Sequence, residues 1–212
     1  TSQIFEPGVV QRQSSPDRSW FAVGGIAAAG TSRETEIQEI LAHSGTAVIA
    51  SDIRSAKWMK LISNCTTLAT SAIFGLPIAE AANTPSMREI MLLSGSEALT
   101  AGQDLGYSIE PIFGLSKEEL INTNQLVELL LDKLTSTFIR PESITTVLQD
   151  HMKNRKSEVA NINGWVVDER KKRGKAAPVN AAIVKISAQI KRGELDPDPS
   201  NLELLQTMLA KG

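Results

Sequence analysis

The sequence predicts a mainly α-helical protein with a short α/β segment before the helices. Hydrophobic residues make up 42% of the 212-residue chain and aromatic residues only 4%, so the core must be built mainly from Leu, Ile, Val and Ala. That composition suits packed helices better than a β-sandwich. From Ser55 onward the apolar residues also recur with a helical period. We therefore divide the chain into an α/β segment, residues 1–52, and a helical segment, residues 53–212.

The α/β segment combines short strand-like runs with one helix. The run IFEPGVVQRQ has two apolar-leaning stretches around a Pro-Gly turn, which predicts a hairpin. The runs SWFAVGG and TAVIAS predict two further strands. Between them, Thr31 and Glu34 form a capping box from which a helix runs to about His43. A strand, a helix and a strand without a complete repeat are typical of the end of an α/β domain.

Six helices are predicted in the helical segment, and glycine or proline follows several of them. Three begin at a capping box, in which a serine is followed three residues later by a glutamate: Ser86 with Glu89, Ser116 with Glu119 and Ser200 with Glu203. The predicted helices are 55–74, 86–105, 116–138, 143–173, 178–192 and 200–211.

Composition and charge exclude several classes of protein. The 22 basic and 24 acidic residues are spread along the chain and give a net charge of −2, so the sequence has no basic patch for nucleic acid. No apolar run approaches the length of a membrane span. The single cysteine, Cys65, excludes an internal disulfide and fits a reducing compartment. We therefore expect a cytoplasmic protein without nucleic-acid or membrane partners.

Common nucleotide and metal motifs are missing or incomplete. The stretch GIAAAGT at 25–31 resembles a phosphate loop but lacks its lysine, and a strand end followed by a helix cap explains it better. No G-x-G-x-x-G occurs, so the sequence carries no dinucleotide fingerprint. His43 and His151 are the only histidines. With one cysteine, they leave no expected metal site and no Ser-His-acid triad.

The segment KWMKLISNCTTLATSAIFGLP carries a polar stripe along its predicted helix: Lys57, Lys60, Asn64, Thr67 and Ser71. The adjoining arc is apolar and is expected to be core: Trp58, Leu61, Ile62, Cys65, Ala69, Ala72 and Ile73. A solvated surface face is one interpretation of the stripe. Beyond the two lysines, however, the stripe holds only short amide and hydroxyl groups, which suit the wall of a pocket.

A second segment places a carboxylate among apolar residues. On the predicted helix 143–173, Glu158 shares a stripe with a set of mainly apolar residues: Ile144, Val147, His151, Ile162 and Trp165. Burying a carboxylate is costly unless a partner compensates for it. Glu158 is therefore either an edge residue that reaches solvent or pairs with Arg155, or a pocket acid that binds a ligand hydroxyl or a catalytic lysine. Gly164 weakens this helix by about 1 kcal/mol relative to alanine, which close packing of a neighbouring helix or a ligand would explain.

Together these segments resemble the ketopantoate reductase (2-dehydropantoate 2-reductase) family. The resemblance runs from about Ser55 to Leu205 and implies that family's all-helical C-terminal domain, which is similar to the C-terminal domain of phosphogluconate dehydrogenases. Residues 1–52 resemble the last strands of the family's Rossmann domain. The motifs are W-M-K-L-x-x-N at 58–64, L-Q-D at 148–150, E-x-x-x-I-N-G at 158–164 and P-x-N at 178–180.

The resemblance implies roles for individual residues at matching positions. Lys60 matches the catalytic general acid, and Asn64 matches a substrate-binding amide. Glu158 matches the acid that contacts both substrate and cofactor. Thr146 stands where the family usually has a serine, and it keeps the hydroxyl at that substrate-binding position.

Two substrate positions depart from the family's pattern. Leu68 and Ile78 stand where the family usually places asparagines that bind substrate. The departure puts the identity of the substrate in doubt and favours a more apolar 2-oxo acid than ketopantoate. Alternatively, Thr67 or Ser71 supplies the missing hydrogen-bond donor from the same stripe.

The activity that the resemblance implies is NADPH-dependent reduction of a 2-oxo acid, nominally ketopantoate to pantoate in pantothenate biosynthesis. Hydride delivery to a 2-keto group creates an alkoxide, which needs a proton donor and a nearby positive charge. A lysine supplies both when partial burial lowers its pKa. NADPH would be bound mainly by a domain absent from this chain, and the helical domain could form a homodimer. The alternatives are a related reductase with a more apolar substrate and a non-catalytic helical dimerisation domain.

Overall fold

The computed structural model is mainly helical. The residues that it describes are 2–3, 6–12, 19–26 and 32–211. Its named strands all lie before residue 50, and helices follow. The predicted fold class, a helical domain after a short α/β segment, is confirmed. The division of the chain at residue 52 stays a prediction.

The α/β segment contains two sheets of two strands each among the described residues. β1 (Ser2–Gln3) and β2 (Gln11–Arg12) pair antiparallel, which confirms the predicted hairpin. β3 (Trp20–Val23) and β4 (Thr46–Ile49) pair in parallel and are joined through α1 (Ser32–Ala42). This strand–helix–strand unit is the one that the sequence predicts.

The predicted capping box of α1 can be assessed only at its second residue. Thr31 lies outside the described residues. Glu34 is buried, and its carboxylate accepts a hydrogen bond from the backbone N–H of Gly25, at the end of the run that forms β3. The glutamate therefore fastens the first turn of α1 to the sheet that precedes it.

The helical segment is a bundle arranged around one long helix. Its described helices are α2 (Ile53–Ile73), α3 (Ile78–Asn83), α4 (Pro85–Asp104), α5 (Lys117–Ile121), α6 (Leu126–Lys133), α7 (Thr146–Met152), α8 (Val159–Lys172), α9 (Pro178–Lys191) and α10 (Asn201–Ala210). The long helix is α2, which packs against α4, α6, α7, α8 and α9. The apolar arc predicted for α2 is confirmed as core, with only Leu61 partly exposed.

Most of the buried hydroxyl groups of α2 are satisfied within the helix itself. Five of them donate to the carbonyl four residues earlier: Ser63, Thr66, Thr67, Thr70 and Ser71. Back-bonding of this kind removes the cost of burying a hydroxyl without a partner. It allows α2 to be enclosed on nearly all sides although its sequence is rich in Ser and Thr.

The predicted helix 143–173 is wrong, because two helices occupy this range. α7 ends at Met152 and α8 begins at Val159. Between them the chain turns at Asn154, whose φ of 48° is left-handed. The Lys191 ammonium holds this turn by donating to the Asn154 carbonyl at 2.6 Å. The run KNRKSE at 153–158 offers no apolar side chain to the core, so nothing favours its continuation as helix.

The predicted helix 116–138 is also divided. Its capping box is confirmed, since the Ser116 hydroxyl accepts from the Glu119 N–H and the Glu119 carboxylate accepts from the Ser116 N–H. α5 then ends at Ile121, where the run NTNQ favours a turn over a helix because its short polar side chains bond to nearby backbone. α6 follows and ends in a π-helical turn at Leu134–Phe138.

The other two predicted capping boxes are wrong. α4 begins one residue earlier than Ser86, at Pro85, whose fixed φ and missing N–H suit the first helical position. The Ser200 hydroxyl donates to the Asp198 carboxylate instead of capping α10. Ser200 therefore occupies the N-cap position of α10 without making the side-chain bond of a capping box.

Two apolar clusters form the core and meet at α2. The larger surrounds the C-terminal half of α2 and includes residues of α3, α4, α7, α9 and α10. The smaller surrounds the N-terminal half and includes residues of α4, α5, α6 and α8. Leu68 packs against both clusters. It therefore marks the level of α2 at which the two halves of the bundle join.

Candidate functional site

The polar stripe of α2 runs from the surface into the core. Lys57 and Lys60 are exposed, and Asn64 is half-buried. Thr67 and Ser71 are 3% and 0% exposed. Only the first half of the stripe, from Lys57 to Asn64, is therefore open to a ligand.

The inner half of the stripe has no free donor. The hydroxyl of Thr67 donates to the Ser63 carbonyl at 2.8 Å, and that of Ser71 donates to the Thr67 carbonyl at the same distance. The alternative in which one of these hydroxyls replaces a missing substrate-binding amide is therefore wrong, because each hydroxyl hydrogen is already used inside the helix.

Three polar side chains predicted for the site have no partner within the described part of the chain. No hydrogen bond or ion pair to another described residue is made by the Lys60 ammonium, the Asn64 amide or the Glu158 carboxylate. Lys60 and Glu158 are exposed, so the partial burial expected for the lysine is not provided by these residues. Of the alternatives for Glu158, an edge residue that reaches solvent agrees with this exposure, and the pairing with Arg155 is not formed among the described residues.

Glu158 stands at the start of α8 as its N-cap residue. Its carbonyl accepts from the N–H groups of Asn161 and Ile162, at 2.8 and 3.0 Å. Ile162 is buried in the smaller core cluster, against which α2 also packs. The backbone of Glu158 is thus fixed by a helix anchored beside α2, while its carboxylate remains free.

Thr146 and its neighbour Thr145 have opposite roles. Thr146 is exposed, and its hydroxyl has no partner among the described residues. Thr145 is buried and caps α7 by accepting from the Leu148 N–H at 3.0 Å. It also donates to the Leu68 carbonyl at 3.1 Å. The sequence signal for Thr145 is its place before an apolar run, which is typical of an N-cap, although Thr145 is not among the predicted site residues.

The two positions that depart from the family pattern differ in access. Leu68 is half-buried. Ile78 is 6% exposed and belongs to the larger core cluster, and its N–H donates to the Ser143 carbonyl at 3.4 Å. Of the two, Leu68 has the surface with which to meet a ligand.

Gly164 is not explained by close packing. A Cβ built there would lie 3.8 Å or more from its nearest neighbours, which is ordinary van der Waals contact. The expectation that a neighbouring helix excludes a side chain at this position is therefore wrong. Gly95 and Gly102 on α4 are positions where a side chain would clash, because a Cβ at Gly95 would meet Thr66 and Val127 and one at Gly102 would meet the Trp58 ring.

A cavity of about 420 Å³ lies away from these residues. It opens between β3, β4 and the loop 110–116, and none of the six predicted site residues lines it. Its one buried acid, Glu110, accepts from the hydroxyls of Ser51 and Ser108 and pairs with Lys117. Because the cavity and the predicted site share no residue, they are separate features.

Other chemistry is limited in the described residues. They contain no group of three or more His, Cys, Asp and Glu side chains placed to hold a metal ion. No helix among them is long and apolar enough to cross a membrane. Burial raises the pKa of the Cys65 thiol well above its usual value, which disfavours the reactive thiolate.

The sequence of the helical segment matches a known family. Residues 52–191 match the family described as the ketopantoate reductase PanE/ApbA C-terminal domain. The chain belongs to this family. All six predicted site residues lie inside the matched range. Among curated proteins, none matches the chain.

Solved ketopantoate reductases share the fold at low sequence identity. A PanE/ApbA family ketopantoate reductase from Ralstonia eutropha JMP134 is 20% identical, with a TM-score of 0.68 over 91% of this chain and 57% of that one. A dimeric ketopantoate reductase from Staphylococcus aureus is 14% identical, with a TM-score of 0.66 over 92% and 62%.

A third similar structure is a D-mandelate dehydrogenase solved with NADH and anilino(oxo)acetate. It is 18% identical, with a TM-score of 0.69 over 91% of this chain and 58% of that one. The ketopantoate reductase fold is thus shared by enzymes that are named for different substrates. The present chain spans about three fifths of the length of each of these three proteins.

Proposed function

We propose that this chain is the substrate-side part of a nicotinamide-dependent 2-oxo-acid reductase, with NADPH as cofactor and ketopantoate as the nominal substrate. The observation that carries the proposal is that Lys60 and Asn64 lie one turn apart on α2. Neither side chain has a hydrogen-bond or ion-pair partner among the described residues. Glu158 starts α8, which packs against α2, and its carboxylate is also unpaired there.

These groups match the needs of the reaction. NADPH, when bound, supplies the hydride. The Lys60 ammonium donates a proton to the oxygen of the keto group as negative charge develops on it. The Asn64 amide orients the substrate, and the Glu158 carboxylate accepts a hydrogen bond from a substrate hydroxyl and balances the lysine's charge. The exposed hydroxyl of Thr146 is available to the same substrate.

The cofactor fits the described residues only in part. Glu158 is the one predicted cofactor contact, and its free carboxylate suits a hydroxyl or amide donor. The sequence has no glycine-rich dinucleotide loop, so backbone N–H groups for the pyrophosphate must come from residues outside this sequence. We propose that the full-length protein supplies them.

A reductase of a more apolar 2-oxo acid is the second candidate. It is favoured by Leu68, a half-buried aliphatic side chain at a position where the family places an amide, and by the absence of a free donor on Thr67 and Ser71. The D-mandelate dehydrogenase relative, solved with an aromatic oxo acid derivative, shows that a protein of this fold can have such a ligand. A homodimer is proposed by analogy with the dimeric relative.

The test is an assay of the full-length protein with NADPH and NADH. Each cofactor is combined with ketopantoate and with a series of alkyl and aryl 2-oxo acids. We expect oxidation of NADPH with at least one of them. If no acid is reduced with either cofactor, the proposed function is wrong, and the alternative of a non-catalytic helical dimerisation domain is favoured.

A further inference from the structure

A network of polar side chains, three of them fully buried, joins four helices of the bundle. It consists of Ser94 and Glu97 on α4, Asn163 on α8 and Asn180 on α9. Ser94, Asn163 and Asn180 are each 0% exposed. Ser94 also reaches α2, since its hydroxyl lies 2.9 Å from the Cys65 carbonyl.

Glu97 fixes one end of the network. Its carboxylate accepts from the N–H groups of Val179 and Asn180, both at 2.9 Å, and from the Asn180 side-chain amide at 2.7 Å. α9 has no side-chain cap of its own at Ala177. A carboxylate from a neighbouring helix therefore caps α9 and interacts favourably with its positive end.

The capping bond determines the orientation of both amides. The Asn180 NH₂ group is used by Glu97 and by the Ser94 carbonyl at 3.0 Å, so the Asn180 oxygen must accept. It accepts from the Asn163 amide at 2.8 Å. Asn163 in turn points its NH₂ group at Asn180 and at the Ser94 hydroxyl, 3.3 Å away.

The orientation leaves one polar atom without a partner. The Oδ1 atom of Asn163 is buried and accepts no hydrogen bond. An aliphatic side chain would avoid that cost, but it would also lack the donors that the Asn163 amide directs at Asn180 and Ser94. Apolar packing of Val159 and Ile162 alone is not directional, whereas these hydrogen bonds specify how α8 is rotated and how far it advances along its axis.

Asn163 is close to the residue that the proposed mechanism uses. It follows Glu158 by five residues, or about 7.5 Å along the helix axis. The Glu158 carboxylate itself has no partner in the described part of the protein, so its position depends on the helix that begins there. We infer that Asn163, held by Asn180 and Ser94, is a positioning residue that places Glu158 for the reaction. The inference rests on the proposed function of Glu158.

The first experiment does not depend on activity. Amide hydrogen exchange is measured over residues 157–163 in the full-length protein and in Asn163→Leu. We expect the amides of Asn161 and Ile162, which bond to the Glu158 carbonyl, to exchange at least tenfold faster in the variant. Unchanged exchange at these amides would overturn the inference.

A matched control separates positioning from a general loss of stability. Asn201 is another buried asparagine, whose amide donates to the carbonyls of Ile73 and Asp196 at 2.8 Å and touches neither α8 nor α9 through these bonds. Asn201→Leu should leave exchange at Asn161 and Ile162 within twofold of the wild type. An equal increase in both variants would show that α8 only reports overall stability, and would also overturn the inference.

The kinetic experiment tests whether Asn163 acts through Glu158. Asn163→Leu should lower kcat/KM about tenfold or more, because a displacement of about 1 Å can cost about 10²-fold. In the Glu158→Gln background the same substitution should lower it less than twofold. Equal effects in both backgrounds would mean that Asn163 does not act through Glu158.

Two further outcomes are distinguished by the design. If Asn163→Leu does not fold, Ser94→Ala replaces it in both experiments, since it removes one partner of Asn163 and leaves the bond to Asn180. The proposed function fails if the wild-type protein oxidises neither NADPH nor NADH, or if Glu158→Gln is fully active. In that case the exchange experiment still decides whether the network holds the start of α8.

Discussion

The hydroxyl of Thr145 donates to the carbonyl of Leu68 across 3.1 Å. This bond fixes the first turn of α7 against the C-terminal half of α2, at Leu68, which packs against both core clusters. The same hydroxyl accepts from the Leu148 N–H and so caps α7. The Thr145 side chain thereby caps α7 and fixes the position of this helix along α2.

Thr145→Val should destabilise the protein by about 1–3 kcal/mol, because it removes a helix cap and leaves the Leu68 carbonyl without this donor. The measurement is the free energy of unfolding from urea titration. Thr146→Val is the matched control, since Thr146 is exposed one residue later, and should change stability by less than about 0.5 kcal/mol. Equal losses in the two variants would contradict the role given to the Thr145 hydroxyl.

Lys60→Ala should lower kcat of the full-length enzyme by about 10²-fold or more, as expected for loss of a general acid. Because Lys60 is exposed, its removal should leave the melting temperature nearly unchanged. Lys57→Ala is the control, being exposed on the same stripe one turn earlier. If both substitutions reduce activity equally, the stripe acts as a general positive surface and the assignment of Lys60 fails.

Leu68→Asn should shift substrate preference toward ketopantoate and away from 2-oxoisovalerate. A restored hydrogen bond is worth about 0.5–1.5 kcal/mol, which corresponds to a change in the ratio of kcat/KM of roughly two- to tenfold. The ratio is measured for both acids in the wild type and the variant. An unchanged ratio, or a wild type that already strongly prefers ketopantoate, would show that Leu68 does not determine specificity.

His151 should make the stability of the fold depend on pH. Burial lowers the pKa of His151, and the Ala72 carbonyl and Asp150 oppose this effect more weakly. The unfolded chain, with a histidine pKa of about 6.5, then binds more protons than the folded chain between the two pKa values. Stability should be complete above about pH 6.5 and should fall as the pH drops toward the lower folded-state pKa.

The check is urea unfolding at pH 7.5 and 5.5. His151→Gln, which keeps a polar side chain beside the Ser187 hydroxyl, 3.0 Å from the His151 ring, should reduce the loss of stability between these values. His43→Gln changes an exposed histidine and should leave it unaltered. A loss that is equally large in all three proteins would rule out His151 as its source.

Local sequence patterns predicted much of the helical segment. The apolar arc of α2 is core because its residues recur at the helical period, and a helix must bury that face. The capping box of Ser116 and Glu119 forms because both of its bonds lie within three residues. The free polar groups Lys60 and Asn64 stand on the side of α2 that the same period predicted.

Tertiary structure decided which polar groups remain free. Thr67 and Ser71 share a stripe with Lys60, but neighbouring helices enclose them, and their hydroxyls then bond to their own helix. Asn163 and Asn180 are 17 residues apart, and each reaches Ser94 from another helix.

The break between α7 and α8 shows the same division. The sequence pattern allows a helix to continue through residues 153–158. Their polar side chains, however, are not stabilised by burial in the core, and Lys191 of α9 stabilises a turn by donating to Asn154. The sequence by itself determined which faces of the helices are apolar, because that depends on spacing along the chain. The hydrogen-bond partners of the buried amides Asn163 and Asn180 were decided only by contacts between helices distant in sequence.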